Sequence, residues 1–295
     1  MESFDIRVRV LSCERCGAPL QAPEAGGSLG CSYCGTTMMV EARRLEPVRP
    51  NHVLEEDARI AKLRLQLDGD LAQNPYSTVA PPPGCGALTH AGLEDVQVQL
   101  ARRFREAVAL VRAEPTFEHQ RLAWWCATQL NQGYGLTGKH LERRAVLERA
   151  IEELSDPGFR HMLYVNLAGA AARAGELAAA RAWIERCDPR PEDLMLDSGY
   201  RVGLASVLVR EGDVAMTLDL VGARVGDIPE ARQFRLMFAM YRIHAFEKLG
   251  RDQDAMTAAM AISTDEEVGP VLVQALEANE LAPRTTATLR ASSSS

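Results

Sequence analysis

What the chain lacks narrows it first. It has no surplus of positive charge: 33 lysines and arginines stand against 40 acids, a net charge of −7, so no long-range pull toward a phosphate backbone is expected over the whole surface. It has no membrane-length apolar run. The best stretch, Val202 to Val209, has eight residues and contains a glycine, far short of the roughly 20 a spanning helix needs. The first residues, Met1-Glu2-Ser3-Phe4-Asp5, lack the basic start and apolar core of a signal peptide, so a cytoplasmic location is expected. The six histidines are scattered, with no His-x-x-x-His or His-Glu-x-x-His spacing, and neither a Gly-x-x-x-x-Gly-Lys phosphate loop nor a Gly-x-Ser-x-Gly nucleophile elbow is expected. The protein is therefore not expected to be an enzyme. Aromatic residues are scarce, 5%, while alanine and leucine abound, which favours close-packed helices over a sheet sandwich.

Cysteine is the exception to this plainness. Cys13 and Cys16, then Cys31 and Cys34, form two Cys-x-x-Cys pairs with fourteen residues between them, and Gly17 and Gly35 follow directly. That spacing suits four thiolates around one tetrahedral zinc. Iron is the chemical rival, because the same pairs serve rubredoxin-like sites. An odd total of seven cysteines, four of them in ligand spacing, fits a reducing compartment and a metal better than disulfides. Phe4, Ile6, Val8 and Val10 alternate with charged residues as a half-buried strand does, and Thr36 to Val40 is again strand-like. Between the pairs, residues 23–27 read as a hairpin reversal. The segments Cys13-Glu14-Arg15-Cys16-Gly17-Ala18-Pro19-Leu20 and Cys31-Ser32-Tyr33-Cys34-Gly35-Thr36 resemble the zinc ribbon family over residues 1–42. The resemblance implies a small β module, and a module this short needs the metal to fold. Zinc ribbons also imply nucleic-acid or transcription machinery as a setting. Here Arg7, Arg9, Arg15, Arg43, Arg44 and Arg49 are balanced by Glu2, Asp5, Glu14, Glu24, Glu41 and Glu46, so charge gives nucleic acid no support as a partner.

Residues 43–90 read as a linker holding one amphipathic helix, Val53 to Leu67, and a proline-rich loop over 73–90 that is expected to be exposed and partly mobile. Cys85 in that loop reads as a bystander thiol. A helix is expected from Leu93 to Val111, stopped by Pro115. Beyond it, Gly138, Gly175, Gly212 and Gly250 recur at spacings of 37, 37 and 38 residues between apolar helical segments. A period of this size belongs to stacked helix pairs. The clearest unit places Ala168 where two helices cross, Gly175 at the turn, Ala180 at a second close contact and Cys187 in a last buried slot. This resembles the tetratricopeptide repeat, over residues 91–282. The next unit departs at Thr217, where alanine is expected, and the last departs at Arg242 and Ile243. Trp124 and Trp125 are expected to face different sides of one helix, one in the core and one exposed. Residues 283–295 read as a disordered polar tail.

The fold class expected is thus mainly α, a tetratricopeptide-like helical array with a small N-terminal β zinc ribbon. The resemblance implies a concave groove lined by the first helix of each pair, which receives a protein or peptide partner. The matching positions are Val165 and Gly169 in one unit and Val202 and Ser206 in the next, with Arg173, Arg210 and Lys248 along a basic edge. The function expected is a zinc-binding adaptor or scaffold. The alternative is a regulatory factor whose ribbon touches a nucleic-acid template or polymerase. No membrane association is expected.

Overall fold

The computed structural model describes residues 8–13, 15–23, 27–40, 51–69, 73–83, 85 and 92–293, which divide into two compact units, Met1–Glu56 and Asp57–Ser295. Among its described residues the first unit holds four short strands, β1 (Val8–Ser12), β2 (Pro19–Pro23), β3 (Gly27–Gly30) and β4 (Thr37–Val40). They form two separate antiparallel pairs, β1 with β2 and β3 with β4. Ser12 lies opposite Pro19 and Gly30 opposite Thr37, so each Cys-x-x-Cys-Gly run is the turn of its own hairpin. The further reversal expected from the sequence at 23–27 falls on residues 24–26, which lie outside the described residues, as do Phe4 and Ile6 of the expected first strand. Pro19 and Pro23 stand at the two ends of β2, where a two-stranded sheet tolerates a missing N–H. Among the described residues of this unit, Cys13, Leu20 and Cys31 are buried, with Ala18, Leu29, Cys34 and Met38 packed against them.

The second unit is helical. It contains the residues from Asp57 onward of α1 (Asn51–Arg64), then α2 (Leu93–Ala113), α3 (Phe117–Leu136), α4 (His140–Glu153), α5 (Pro157–Arg173) and α6 (Leu177–Ile184). After these come α7 (Leu194–Glu211), α8 (Val214–Val221), α9 (Arg235–Lys248), α10 (Asp252–Ser263), α11 (Gly269–Ala278) and α12 (Pro283–Ser293). Among the described residues, no helix is long and apolar enough to cross a membrane.

One turn joins α3 to α4, α5 to α6, α7 to α8 and α9 to α10. Gly138, Gly175, Gly212 and Gly250 all have positive φ, between 69° and 84°. In each case the next amide reaches back to the carbonyl five residues earlier: Lys139 to Tyr134, Glu176 to Ala171, Asp213 to Leu208 and Arg251 to Phe246, every one at 2.9 Å. This is the Schellman arrangement, which satisfies the last carbonyls of a helix and requires left-handed backbone that glycine adopts without a Cβ penalty. The glycines that mark the spacing in the sequence are therefore helix stops with a common geometry. The first helices also pack on one another, α3 on α5, α5 on α7 and α7 on α9.

Small residues set how closely these helices approach. Ala168, Ala180 and Ala205 are completely buried, and a Cβ on Gly203 would stand 3.0 Å from both Ile184 Cδ1 and Val165 Cγ1. Thr217, an odd residue in the sequence pattern, is equally buried and donates its hydroxyl to Asp213 O at 2.8 Å, so its polarity is satisfied inside its own helix. Arg242 stands where the pattern calls for leucine. It is 2% exposed and donates to Val221 O at 2.7 Å, Gly222 O at 2.8 Å and Glu230 Oε1 at 2.8 Å, closing the carbonyl end of α8.

Three sequence expectations are corrected. Trp124 and Trp125 are both buried, at 0% and 5% exposure, and Trp124 stacks on Phe159 with ring centroids 5.3 Å apart. The helix is covered on both sides by neighbours, so it has no outer face at this turn. The stretch 73–83 is packed against the helical unit: Ser77 is buried, Asn74 Nδ2 donates to Asp193 Oδ2 at 3.2 Å, and the Tyr76 ring meets Phe159 edge-on at 5.3 Å. Gly158 makes room for that ring, since a Cβ there would fall 2.3 Å from Tyr76 Cζ. The polar end of the chain is helical through Ser293 in α12. Thr285 is buried and gives both its N–H and its hydroxyl to Glu247 Oε2, each at 2.8 Å, which ties α12 to α9.

Candidate metal centre and helical cavity

The two hairpin turns of the first unit have the same internal bonding. Cys13 N–H donates to Ala18 O at 2.9 Å and Gly17 N–H to Cys13 O at 2.8 Å; Cys31 N–H donates to Thr36 O and Gly35 N–H to Cys31 O, both at 2.8 Å. Gly17 and Gly35 have φ of 73° and 69°, and a Cβ on either would meet nothing within 4 Å, so conformation alone calls for glycine there.

These turns bring the four sulfurs together, all within 4.8 Å of one another. Cys13 Sγ lies 3.7 Å from Cys34 Sγ, and Cys16 Sγ lies 3.7 Å from Cys31 Sγ. Each short approach joins one hairpin to the other. Sulfurs at the corners of a tetrahedron around zinc, with bonds of about 2.3 Å, stand roughly 3.8 Å apart, so the set could hold a metal ion and is consistent with zinc. Cys13 and Cys31 are buried, Cys34 half-buried and Cys16 exposed.

The protonation of the set is uneven. The hydroxyl of Thr36, 3.3 Å from Cys34 Sγ, and the Thr36 N–H pull the Cys34 thiol down to about 6. The N–H of Ala18 pulls Cys16 the same way, but withdrawal from water and the crowding sulfurs of Cys34, Cys13 and Cys31 push it up to about 12. Four thiols this close cannot all ionise without a counter-charge, and a dication supplies one while displacing their protons.

The second unit contains a half-open cavity of about 420 Å³. Four first helices contribute to its wall: Asn131 from α3, Val165 and Gly169 from α5, Val202 and Ser206 from α7, and Tyr241 from α9. Of the seven groove residues expected from the sequence, five line it, namely Val165, Gly169, Arg173, Val202 and Ser206. Arg210 and Lys248 do not. Arg210 donates to Asn279 O at 3.1 Å and lies 3.8 Å from Glu280, while Lys248 sits exposed at the end of α9.

The sequence reading missed Arg143 of α4, which also lines the cavity and is 8% exposed. Its Nε donates to Asn131 Oδ1 at 2.6 Å, and Asn131 Nδ2 lies 3.4 Å from Asn166 Oδ1. Burial pulls the Arg143 guanidinium down to about 10, with Arg173 pushing the same way. Arg173 keeps an exposed surface, yet protein surrounds it on several sides, and this crowding lowers its pKa too. The two facts agree for a side chain that faces water inside a concavity. The signal for Arg143 was present: it shares an i, i+3, i+4, i+7 stripe with Val146, Leu147 and Ala150, and no acid stands three or four residues away.

Two runs look like catalytic motifs and are not. Residues 133–139 spell Gly-x-x-x-x-Gly-Lys, but they cover the last turn of α3 and the following Schellman turn, with no strand before them, and Lys139 Nζ is engaged with Gln97 Oε1 at 3.0 Å. Residues 26–30 spell Gly-x-Ser-x-Gly, but Ser28 lies in β3 opposite Met39 rather than on a strand-to-helix turn. Among known proteins, no family model, no curated relative and no solved structure matches the chain.

Proposed function

We propose that the protein is a cytoplasmic adaptor: a zinc ribbon, stapled by Cys13, Cys16, Cys31 and Cys34, carried by a tetratricopeptide-like array whose cavity receives a segment of a protein partner. The observation that carries this reading is that one cavity is walled by the first helix of four successive helix pairs, α3, α5, α7 and α9. That placement is what a concave repeat surface requires. The four common Schellman turns support a repeat, and the four-sulfur geometry supports zinc in a closed structural site with no open coordination position.

The reading is tested by filling the cavity. A Cβ on Gly169 would meet only ordinary contacts, 3.7 Å from Arg173 Nη1 and 3.8 Å from Ser206 Oγ, so larger side chains project into the open space. Gly169→Trp is expected to keep its helical circular dichroism and to lose the proteins that the wild-type chain retains from lysate. Unchanged capture would contradict it.

A second reading, contact between the ribbon and nucleic acid, is favoured by one observation: Tyr33, in the second knuckle, is 74% exposed, a stacking position for a base. Salt-sensitive retention of single-stranded DNA or RNA on filters, lost in Tyr33→Ala, would support it; no retention at low salt would dismiss it.

A further inference from the structure

The cavity has a charge imbalance that the adaptor reading does not use. Arg143 and Arg173 both line it, and no aspartate or glutamate is among the described lining residues. Arg143 spends its Nε on Asn131 and its terminal nitrogens have no acceptor among the described residues; Arg173 has no hydrogen-bond or ion-pair partner there at all. Elsewhere in this unit, buried arginines are neutralised. Arg242 has Glu230 at 2.8 Å, and Arg201 has Asp197 at 2.5 Å. Arg143, buried with no acid beside it, has lost much of its hydration, and Arg173, which faces water in the same concavity, adds like-charge repulsion.

We propose that this cavity binds an organic anion, its oxyanion held between the guanidinium groups of Arg143 and Arg173 and its apolar body lying against Val165, Val202 and Phe234. The inference rests on reading the cavity as a binding site, and it names the chemistry of what enters. Guanidinium forks suit the planar or tetrahedral oxygens of a carboxylate or phosphate. Asn131, itself oriented by Asn166, fixes the Arg143 fork before a ligand arrives, so little ordering is left to be lost on binding. The volume, about 420 Å³, is in the range of small-ligand pockets and equally takes the acidic end of a chain.

The test is calorimetric titration of the full chain with three probes of similar shape: 3-phenylpropionate, phenyl phosphate and the uncharged 3-phenylpropionamide. Saturable binding of at least one anion is expected, weakened by salt, with the amide at least about tenfold weaker, the usual effect of losing a charged hydrogen bond. Arg143→Gln and Arg173→Gln should each reduce anion affinity by about tenfold or more. Arg173→Gln removes no internal bond, so it keeps the test valid if the loss of the Asn131 contact unsettles Arg143→Gln. Preference for the carboxylate or the phosphate identifies the source chemistry. Equal binding of acid and amide would overturn charge recognition while leaving the cavity as a site. No saturable binding of either anion, or binding unaltered in both variants, would overturn the anion site; the Gly169→Trp capture experiment then decides the groove separately.

Discussion

The two units of this protein differ in what their described residues offer to hold a fold. In the helical unit, buried leucines, alanines and aromatics from successive helices form continuous clusters, and polar intrusions such as Thr217, Arg242 and Glu247 are each answered by a hydrogen bond. In the N-terminal unit, the described buried apolar set is Cys13, Leu20 and Cys31, two of them candidate metal ligands. A module of about 40 residues is below the size at which apolar burial alone usually sustains a fold, and it commonly relies on a metal or disulfides instead. The same residue type thus plays opposite parts. Cys187 of the helical unit is packed among apolar neighbours and its thiol is pushed up to about 12 by burial, an inert small hydrophobe, whereas Cys13, Cys16, Cys31 and Cys34 face one another within 4.8 Å as a candidate ligand set.

The comparison is broken most severely by Cys13→Ser. Loss of one buried ligand is expected to unfold residues 8–40 altogether while the helical signal stays within error, read by limited proteolysis beside circular dichroism at 222 nm. Trp124→Ala should do the reverse. It leaves a cavity beside Phe159 and should cost the helical unit about 3–5 kcal/mol in chemical denaturation, with metal content unchanged.

A third prediction separates the units by pH. Burial lowers His244 to about 4, with Lys248 and Arg210 acting the same way and Glu247 opposing, and the unprotonated Nδ1 accepts the Ala282 N–H at 3.1 Å. Because the folded pKa lies below the unfolded value, His244 contributes stability that is present above about 6.5 and lost as pH falls toward 4. The helical melting temperature should therefore fall through that window, and less steeply in His244→Gln. Some slope should remain, since burial depresses His161 in the same direction. The smallest expected effect is that of Gly175→Ala, about 1 kcal/mol, from strain at φ 79° in a turn with nothing near the new Cβ.

What could be read from the letters was whatever the chain states locally. Two Cys-x-x-Cys-Gly runs carry their ligands and their turn residue side by side, and the four turn glycines mark helix ends that any neighbouring backbone could form. What stayed hidden depends on partners far along the chain. Tyr76 looks like part of a proline-rich loop until Phe159 is known to sit beneath it, and Thr285 looks like a polar tail until Glu247 is known to lie opposite. The cavity was half legible for the same reason. Val165, Gly169, Val202 and Ser206 follow from helix order, but Arg143 enters from a second helix, and what sets it apart is that no acid is among the described residues lining the cavity.

The claim that metal holds one unit and apolar packing the other is tested most directly by chelation. Zinc content would be measured on the purified full chain, and a high-affinity chelator then titrated while two-dimensional amide spectra are recorded. One zinc per chain is expected, with collapse of the amide dispersion of residues 8–40 on its removal and spectra of the helical unit, including Gly138, Gly175, Gly212 and Gly250, left in place. Retention of the hairpin spectra in the stripped protein, or loss of the helical spectra along with the metal, would contradict the account.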